Sequence, residues 1–237
     1  MKCRLNLSYK KEINMNIKEN ILKYYLKNCL FINGTAYAGK STMCKMIADK
    51  YNLVLCGENY GLERLLRIIS LEEQPNLSYF KTMKDWQEFI NRTPDEYLAW
   101  ILGNSREVAD FEIAELISIS RNKKVIVDTD IPLEILKQLT DYNQVAIMLC
   151  PQYLSVDMFF ERDDEEKQFL LSQIEKSKNP EKAMKNFKAC IAKINSQEVY
   201  DSFLNSGFFT IVRENSTEDT RMNTLDILSN HFGLNNN

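Results

Sequence analysis

The stretch FINGTAYAGKST, Phe31 to Thr42, decides how this chain is read. It sets Gly34, Gly39, Lys40 and Ser41 in the spacing GxxxxGK[ST], with an apolar run before it. After it, Met43, Met46, Ile47 and Tyr51 fall at helical spacing and predict a helix ending near Asn52. A strand, a glycine-bounded turn and a helix in that order wrap backbone around a phosphate group. Glycine is needed where a side chain would block the approach or where φ is positive. Thr35, Ala36, Tyr37 and Ala38 supply the intervening amides, and the helix start adds its unpaired N–H groups and the positive end of its dipole. Lys40 brings a point charge for the β and γ phosphates, the Ser41 hydroxyl is placed to ligate Mg²⁺, and Thr42 can reach the α phosphate. The stretch therefore predicts a nucleoside triphosphate site. The bland alternative is a strand-to-helix turn with a surface lysine, and a motif of this form turns up by chance in about one chain of this length in a hundred.

Working outward, five short apolar runs predict strands: CLFIN (29–33), LVLC (53–56), KVIVD (124–128), QVAIMLC (144–150) and FFTIV (208–212). Helical patterns lie between them, so the chain reads as a single α/β domain over residues 1–237, with a parallel sheet covered on both faces. Two connections are longer than simple crossovers. Residues 57–103 carry Trp86, Trp100, Tyr60, Tyr79, Phe80 and Tyr97, with a helix start at Thr93-Pro94-Asp95-Glu96; residues 151–207 are charged and helical in pattern. A second helix is expected from a cap at Asn104 or Ser105, burying Val108, Phe111, Leu116 and Ile119. Residues 1–19 form a polar, Lys-rich extension, and Met15 is an alternative start to Met1.

Carboxylates fall where the parallel sheet would present its ligand edge. Asp128 ends the third run and is placed to hold Mg²⁺ together with Ser41. Asp130, in VIVDTDIP, and Glu58, two residues beyond the second run, are the two candidates for the group that positions or deprotonates a substrate hydroxyl. Each also reads as a turn or loop acid. Arg162, in FFERDDEEK, can neutralise charge on a transferred phosphoryl group, or pair with Asp163, Asp164 or Glu166 at the surface.

Composition removes other chemistries. With 30 Lys plus Arg against 33 Asp plus Glu, the net charge of −3 carries no field for a polyanion, so nucleic acid is not an expected partner. The single histidine, His231, builds neither a histidine-based triad nor a histidine-rich metal cluster. Six cysteines without CxxC spacing and no apolar run of membrane length point to a cytoplasmic protein with no membrane partner. Oligomeric state has no signature in the sequence.

Strand order, the motif on the first strand, the long insert after the second, the Asp closing the third and the Arg-bearing segment after the fourth together resemble the P-loop kinases of small molecules. These include nucleotide and nucleoside kinases, shikimate and gluconate kinases and chloramphenicol phosphotransferase. The resemblance spans roughly residues 29–232 and is tightly specific only at GTAYAGKS. It implies a three-layer fold with sheet order 2-3-1-4-5, ATP with Mg²⁺, an acceptor site in the 57–103 insert and a lid within 151–207. It also implies catalytic roles for Lys40, Arg162 and either Glu58 or Asp130 in transfer of the γ-phosphate to the hydroxyl of a small metabolite. VDTDIP lacks the DGxPR pattern of adenylate kinases, and no NKxD guanine signature is present. The rival from another class is a regulatory ATPase or switch acting on a protein partner.

Overall fold

The computed structural model describes residues 19–161, 165–213 and 218–236. Arg162, Met1, Met15 and the polar stretch before residue 19 lie outside them. In chain order the elements are α1 (Glu19–Leu26), β1 (Cys29–Gly34), α2 (Lys40–Tyr51), β2 (Val54–Cys56), α3 (Leu62–Ile68), α4 (Tyr79–Thr82), α5 (Trp86–Ile90) and α6 (Pro94–Ile119). They continue with β3 (Val125–Asp128), α7 (Leu133–Leu139), β4 (Val145–Leu149), α8 (Gln152–Asp157), α9 (Glu165–Glu175), α10 (Pro180–Ile194), α11 (Gln197–Leu204), β5 (Phe209–Val212) and α12 (Arg221–His231).

Every strand pairing is parallel, and the sheet order is β2-β3-β1-β4-β5, the order the resemblance implies. Alternate residues of the strands serve opposite faces. Leu30 and Ile32 of β1 join Met43, Cys44 and Ile47 of α2 and Leu225 and Leu228 of α12 on one face. Cys29 and Phe31 join Leu26 of α1, Leu116 of α6 and Leu136 and Leu139 of α7 on the other. The result is three layers, with β1 central between β3 and β4. All five strand ends therefore open on one edge, which carries Gly34, Cys56, Asp128, Leu149 and Val212.

Two expectations change. The helix expected to begin at Asn104 or Ser105 is the continuation of the one that Thr93 starts. Thr93 and Glu96 form a reciprocal capping box with Pro94 in the first turn, and nothing interrupts the helix until Ile119. Gly103 sits inside it because the Asn76 side chain occupies the place a Cβ would take, so the glycine reflects close packing and not a break. Of the four residues expected to be buried on it, Leu116 is fully so. Ala109, Glu112 and Leu116 are buried, whereas Val108, Phe111 and Ile119 are only partly so.

The second change concerns the 57–103 insert, where the resemblance implies an acceptor site and the aromatic residues instead build a core. Phe89, Tyr97 and Trp100 are buried with Phe187 and Ile191 of α10, and Tyr79, Trp86 and Phe160 pack on that cluster. Ring pairs such as Phe89–Trp100, 5.2 Å between centroids, and Trp86–Phe169, 4.8 Å, fill a second core outside the sheet. Apolar ring area is worth more in that core than spread over an open cleft. At about 1.5 Å per residue, α6 runs some 40 Å and spans both cores. Its first half belongs to the aromatic cluster, and its second half lies on the sheet.

Candidate nucleotide and acceptor site

At the end of β1 the chain must leave the sheet beside β4. Thr35 N–H donates to the Met148 carbonyl at 3.1 Å. Gly34, at φ +138°, turns the space of its missing side chain toward that same carbonyl. Asn33 fixes the turn from below, accepting from Gly34 N–H at 2.6 Å and donating to the Ile131 carbonyl at 2.8 Å. Thr35 is buried and accepts from Cys150 N–H at 2.8 Å, so it ties the loop to the end of β4. The Ala36 peptide is held on both sides: its N–H donates to Asn195 at 3.3 Å, and its carbonyl accepts from the buried Ser155 at 2.8 Å. Tyr37 takes a left-handed φ of 66°, and Arg213 donates to its carbonyl at 2.8 Å while lying 5.2 Å from its ring.

Ala38 is buried, and Gly39 caps α2 at φ 91° with no side-chain cap. Lys40, Ser41 and Thr42 form the first turn of α2. Among the described residues, no backbone amide from Tyr37 through Thr42 donates to a protein acceptor. Consecutive amides left unpaired at a helix start are the donors an anion needs.

Ser41 Oγ donates to Asp128 Oδ2 at 2.6 Å, so the two residues expected to hold a metal already meet. Asp128 is only 5% exposed. Burial raises its carboxyl above the usual range, the Lys40 ammonium and the Ser41 hydroxyl pull it back, and the charges of Glu58 and Asp130 push it up again. Both oxygen donors suit a hard cation such as Mg²⁺, which keeps waters and substrate phosphates as its other ligands. Among the described residues no group of three or more His, Cys, Asp or Glu gathers into a metal cage.

Lys40 is half-buried. Burial alone would lower its pKa, but the charges of Asp130, Asp128 and Glu58 outweigh it and hold the ammonium above its usual range. The three carboxylates named from sequence thus converge on one lysine. Glu58 and Asp130 are exposed and line a cleft with Tyr60, Asn104, Ser105 and Asp128.

Four residues of this edge were not expected from sequence. Ser155, Asn195 and Arg213 grip the loop from distant parts of the chain, which no local pattern announces. Glu112 is the fourth. It is 8% exposed, lines the cleft, and its Oε1 has no hydrogen-bond partner. Its signal was its position midway between Val108 and Leu116 at intervals of four on the helix. Burial, with Thr129 opposing and Asp130, Asp128 and Glu115 adding, pushes its carboxyl from 4.5 up to about 8.

An acid whose pKa rises on folding contributes stability that is full below its unfolded value and is lost as pH climbs through the folded one. For Glu112 that window is pH 4.5 to about 8. Glu112→Gln removes the ionisation, so its stability should gain on wild type across this window, by up to about 1.4 kcal/mol per pH unit, and its melting temperature should rise relative to wild type accordingly. Parallel melting curves from pH 4 to 9 would contradict the assignment.

No family model matches the sequence, and no curated protein matches it. Among solved structures the chain is similar to dephospho-CoA kinase from Campylobacter jejuni, at 19% identity over 86% of this chain and 97% of that one, with a TM-score of 0.42. So distant a likeness decides nothing about the acceptor. Among the described residues no helix is long and apolar enough to cross a membrane.

Proposed function

We propose that the protein is an ATP-dependent phosphotransferase that moves the γ-phosphate to a hydroxyl of a small metabolite. The observation that carries this reading is the hydrogen bond from Ser41, in the first turn of α2 beside Lys40, to Asp128, with Glu58 and Asp130 lining the cleft that Asp128 shares. A triphosphate lies along the amides of residues 37–42, with Lys40 taking the negative charge of the β and γ phosphates. Ser41 and Asp128 hold Mg²⁺, which supplies charge neutralisation at the phosphates. The acceptor enters the cleft beside Glu58 and Asp130. Its hydroxyl oxygen bonds to the γ-phosphorus as the bond to the β,γ-bridging oxygen breaks, that oxygen keeping the electron pair as ADP leaves. The hydroxyl proton passes to Glu58 or Asp130 and then to water. Most of the acceleration comes from alignment and charge neutralisation. Arg162 remains the sequence-based choice for a further positive charge from the 151–207 segment.

The test is turnover: purified protein with Mg-ATP and a panel of alcohols, followed by ADP release and product mass. Phosphorylation of no acceptor, together with binding of a protein partner only in the ATP-loaded state, would replace the kinase by a nucleotide switch. Asp128→Asn should leave the fold intact and raise the Mg²⁺ concentration needed for half-maximal turnover by about 10- to 100-fold. An unchanged Mg²⁺ requirement would remove Asp128 from the metal site.

A further inference from the structure

The cleft beside the phosphate loop is lined by five carboxyl groups, those of Glu58, Glu112, Glu115, Asp128 and Asp130. Among the described residues no lysine, arginine or histidine lines it. Two cations stand nearby. Arg64 is bound to Glu115, and Lys40 feels the charges of Asp130, Asp128 and Glu58. In the proposed reaction Lys40 turns to the triphosphate and Asp128 to the metal. Glu58 and Asp130 then face the acceptor with that counter-charge withdrawn, beside the buried Glu112.

A phosphorylated or carboxylated acceptor would bring like charge into that space. A neutral polyol would find hydrogen bonds but would leave the charge unanswered. Glu112 narrows the choice, because its buried Oε1 has no partner within the protein, and a buried acceptor atom left unpaired is unfavourable until a donor arrives. Along the same wall of α6, Asn104 and Ser105 offer neutral partners for hydroxyl groups, two turns of helix before Glu112. The cleft opens to solvent and its inner space is about 70 Å³, small beside ordinary ligand clefts, so it grips one functional group while the rest of the acceptor lies outside.

We propose that the acceptor is an alcohol bearing a protonated amine, of the amino alcohol or amino sugar class, and that Glu112 is the residue that selects it. The inference rests on the kinase reading and names the substrate class of the same site. The ammonium donates to Glu112, the hydroxyl groups meet Asn104 and Ser105, and the reacting hydroxyl lies toward Glu58 and Asp130.

Three probes of one carbon skeleton test it: 1-amino-1-deoxysorbitol, sorbitol and sorbitol 6-phosphate. Each is titrated calorimetrically into the full chain loaded with Mg²⁺ and a non-hydrolysable ATP analogue. The amine should bind about tenfold or more tightly than sorbitol, and the phosphate more weakly than either. In Glu112→Gln the amine and sorbitol should converge to within about twofold, with ATP-analogue affinity unchanged. A merely structural Glu112 would not alter that ratio. Equal binding of the probes, preference for the phosphate, or no binding of any probe to a nucleotide-loaded chain overturns the amine assignment and leaves the phosphate site standing. If wild-type protein fails to bind the ATP analogue, the kinase reading fails and this inference falls with it.

Discussion

Lys40→Ala is expected to lower turnover of Mg-ATP by roughly a thousandfold, the upper range for losing one preorganised charge at a transferring phosphoryl group. The reason is that nothing else at the loop replaces it. Among the described residues that bond to the loop, the cation is Arg213, and it is engaged with the Tyr37 carbonyl. Triphosphate affinity should fall in parallel, because the amides of residues 37–42 remain but face three carboxylates with no cation between them. The substitution also acts on the nucleotide-free protein. Asp130, Asp128 and Glu58 raise the Lys40 pKa above 10.5, so its stabilising contribution is fully present below that value and is lost only as pH rises through the higher folded one. At neutral pH the variant therefore loses the whole contribution and removes the positive charge that Asp130, Asp128 and Glu58 feel, and it should melt below wild type. Mg²⁺ should restore part of that loss by binding beside Asp128. Direct titration of an ATP analogue, with melting curves with and without Mg²⁺, checks both parts. Unchanged affinity would end the phosphate-cradle assignment.

The glycine-bounded loop was legible because its positions are set by local chemistry: glycine where φ is positive, and a helix start directly after it. The strands were legible for a related reason, since a strand buried on both faces is a continuous apolar run whatever surrounds it. Each lies within a residue of the expected run at either end. Asp128 and Glu58 followed from the rule that parallel strands end at the ligand edge. Elements whose role depends on distant packing were not legible. Gly103 reads as a helix break until Asn76 is placed against it. Trp100 has no marked role in the sequence until α10 covers it. Glu112 is passed over in the sequence because burying a lone carboxyl is costly, and its burial shows only once the chain is folded.

The largest stability loss in the chain is expected from Gly34→Ala. A Cβ at this position would overlap the carbonyl oxygen of Met148 and lie 2.8 Å from its carbon and 2.9 Å from its nitrogen. These are backbone atoms of the strand paired with β1, so no side-chain rotation relieves the clash. The substitution must spread β1 from β4 or abandon φ +138°, and either move breaks the Thr35 to Met148 hydrogen bond from which the phosphate loop departs. A cost of about 4 kcal/mol or more is expected, which in a domain of this size lowers the melting temperature by roughly 10 °C. Two other glycines separate the contributions. At Gly39, φ is +91° but the nearest atom, in the Met148 side chain, is 3.9 Å away, so Gly39→Ala carries only the left-handed strain of about 1–2 kcal/mol. Gly57 has open space and an ordinary backbone, so Gly57→Ala should stay within about 0.5 kcal/mol of wild type. The order Gly57, Gly39, Gly34 in increasing loss of melting temperature is the expected result. A Gly34→Ala protein that melts like Gly57→Ala would show that β1 does not approach Met148 this closely, and the placement of the phosphate loop against β4 would have to be redrawn.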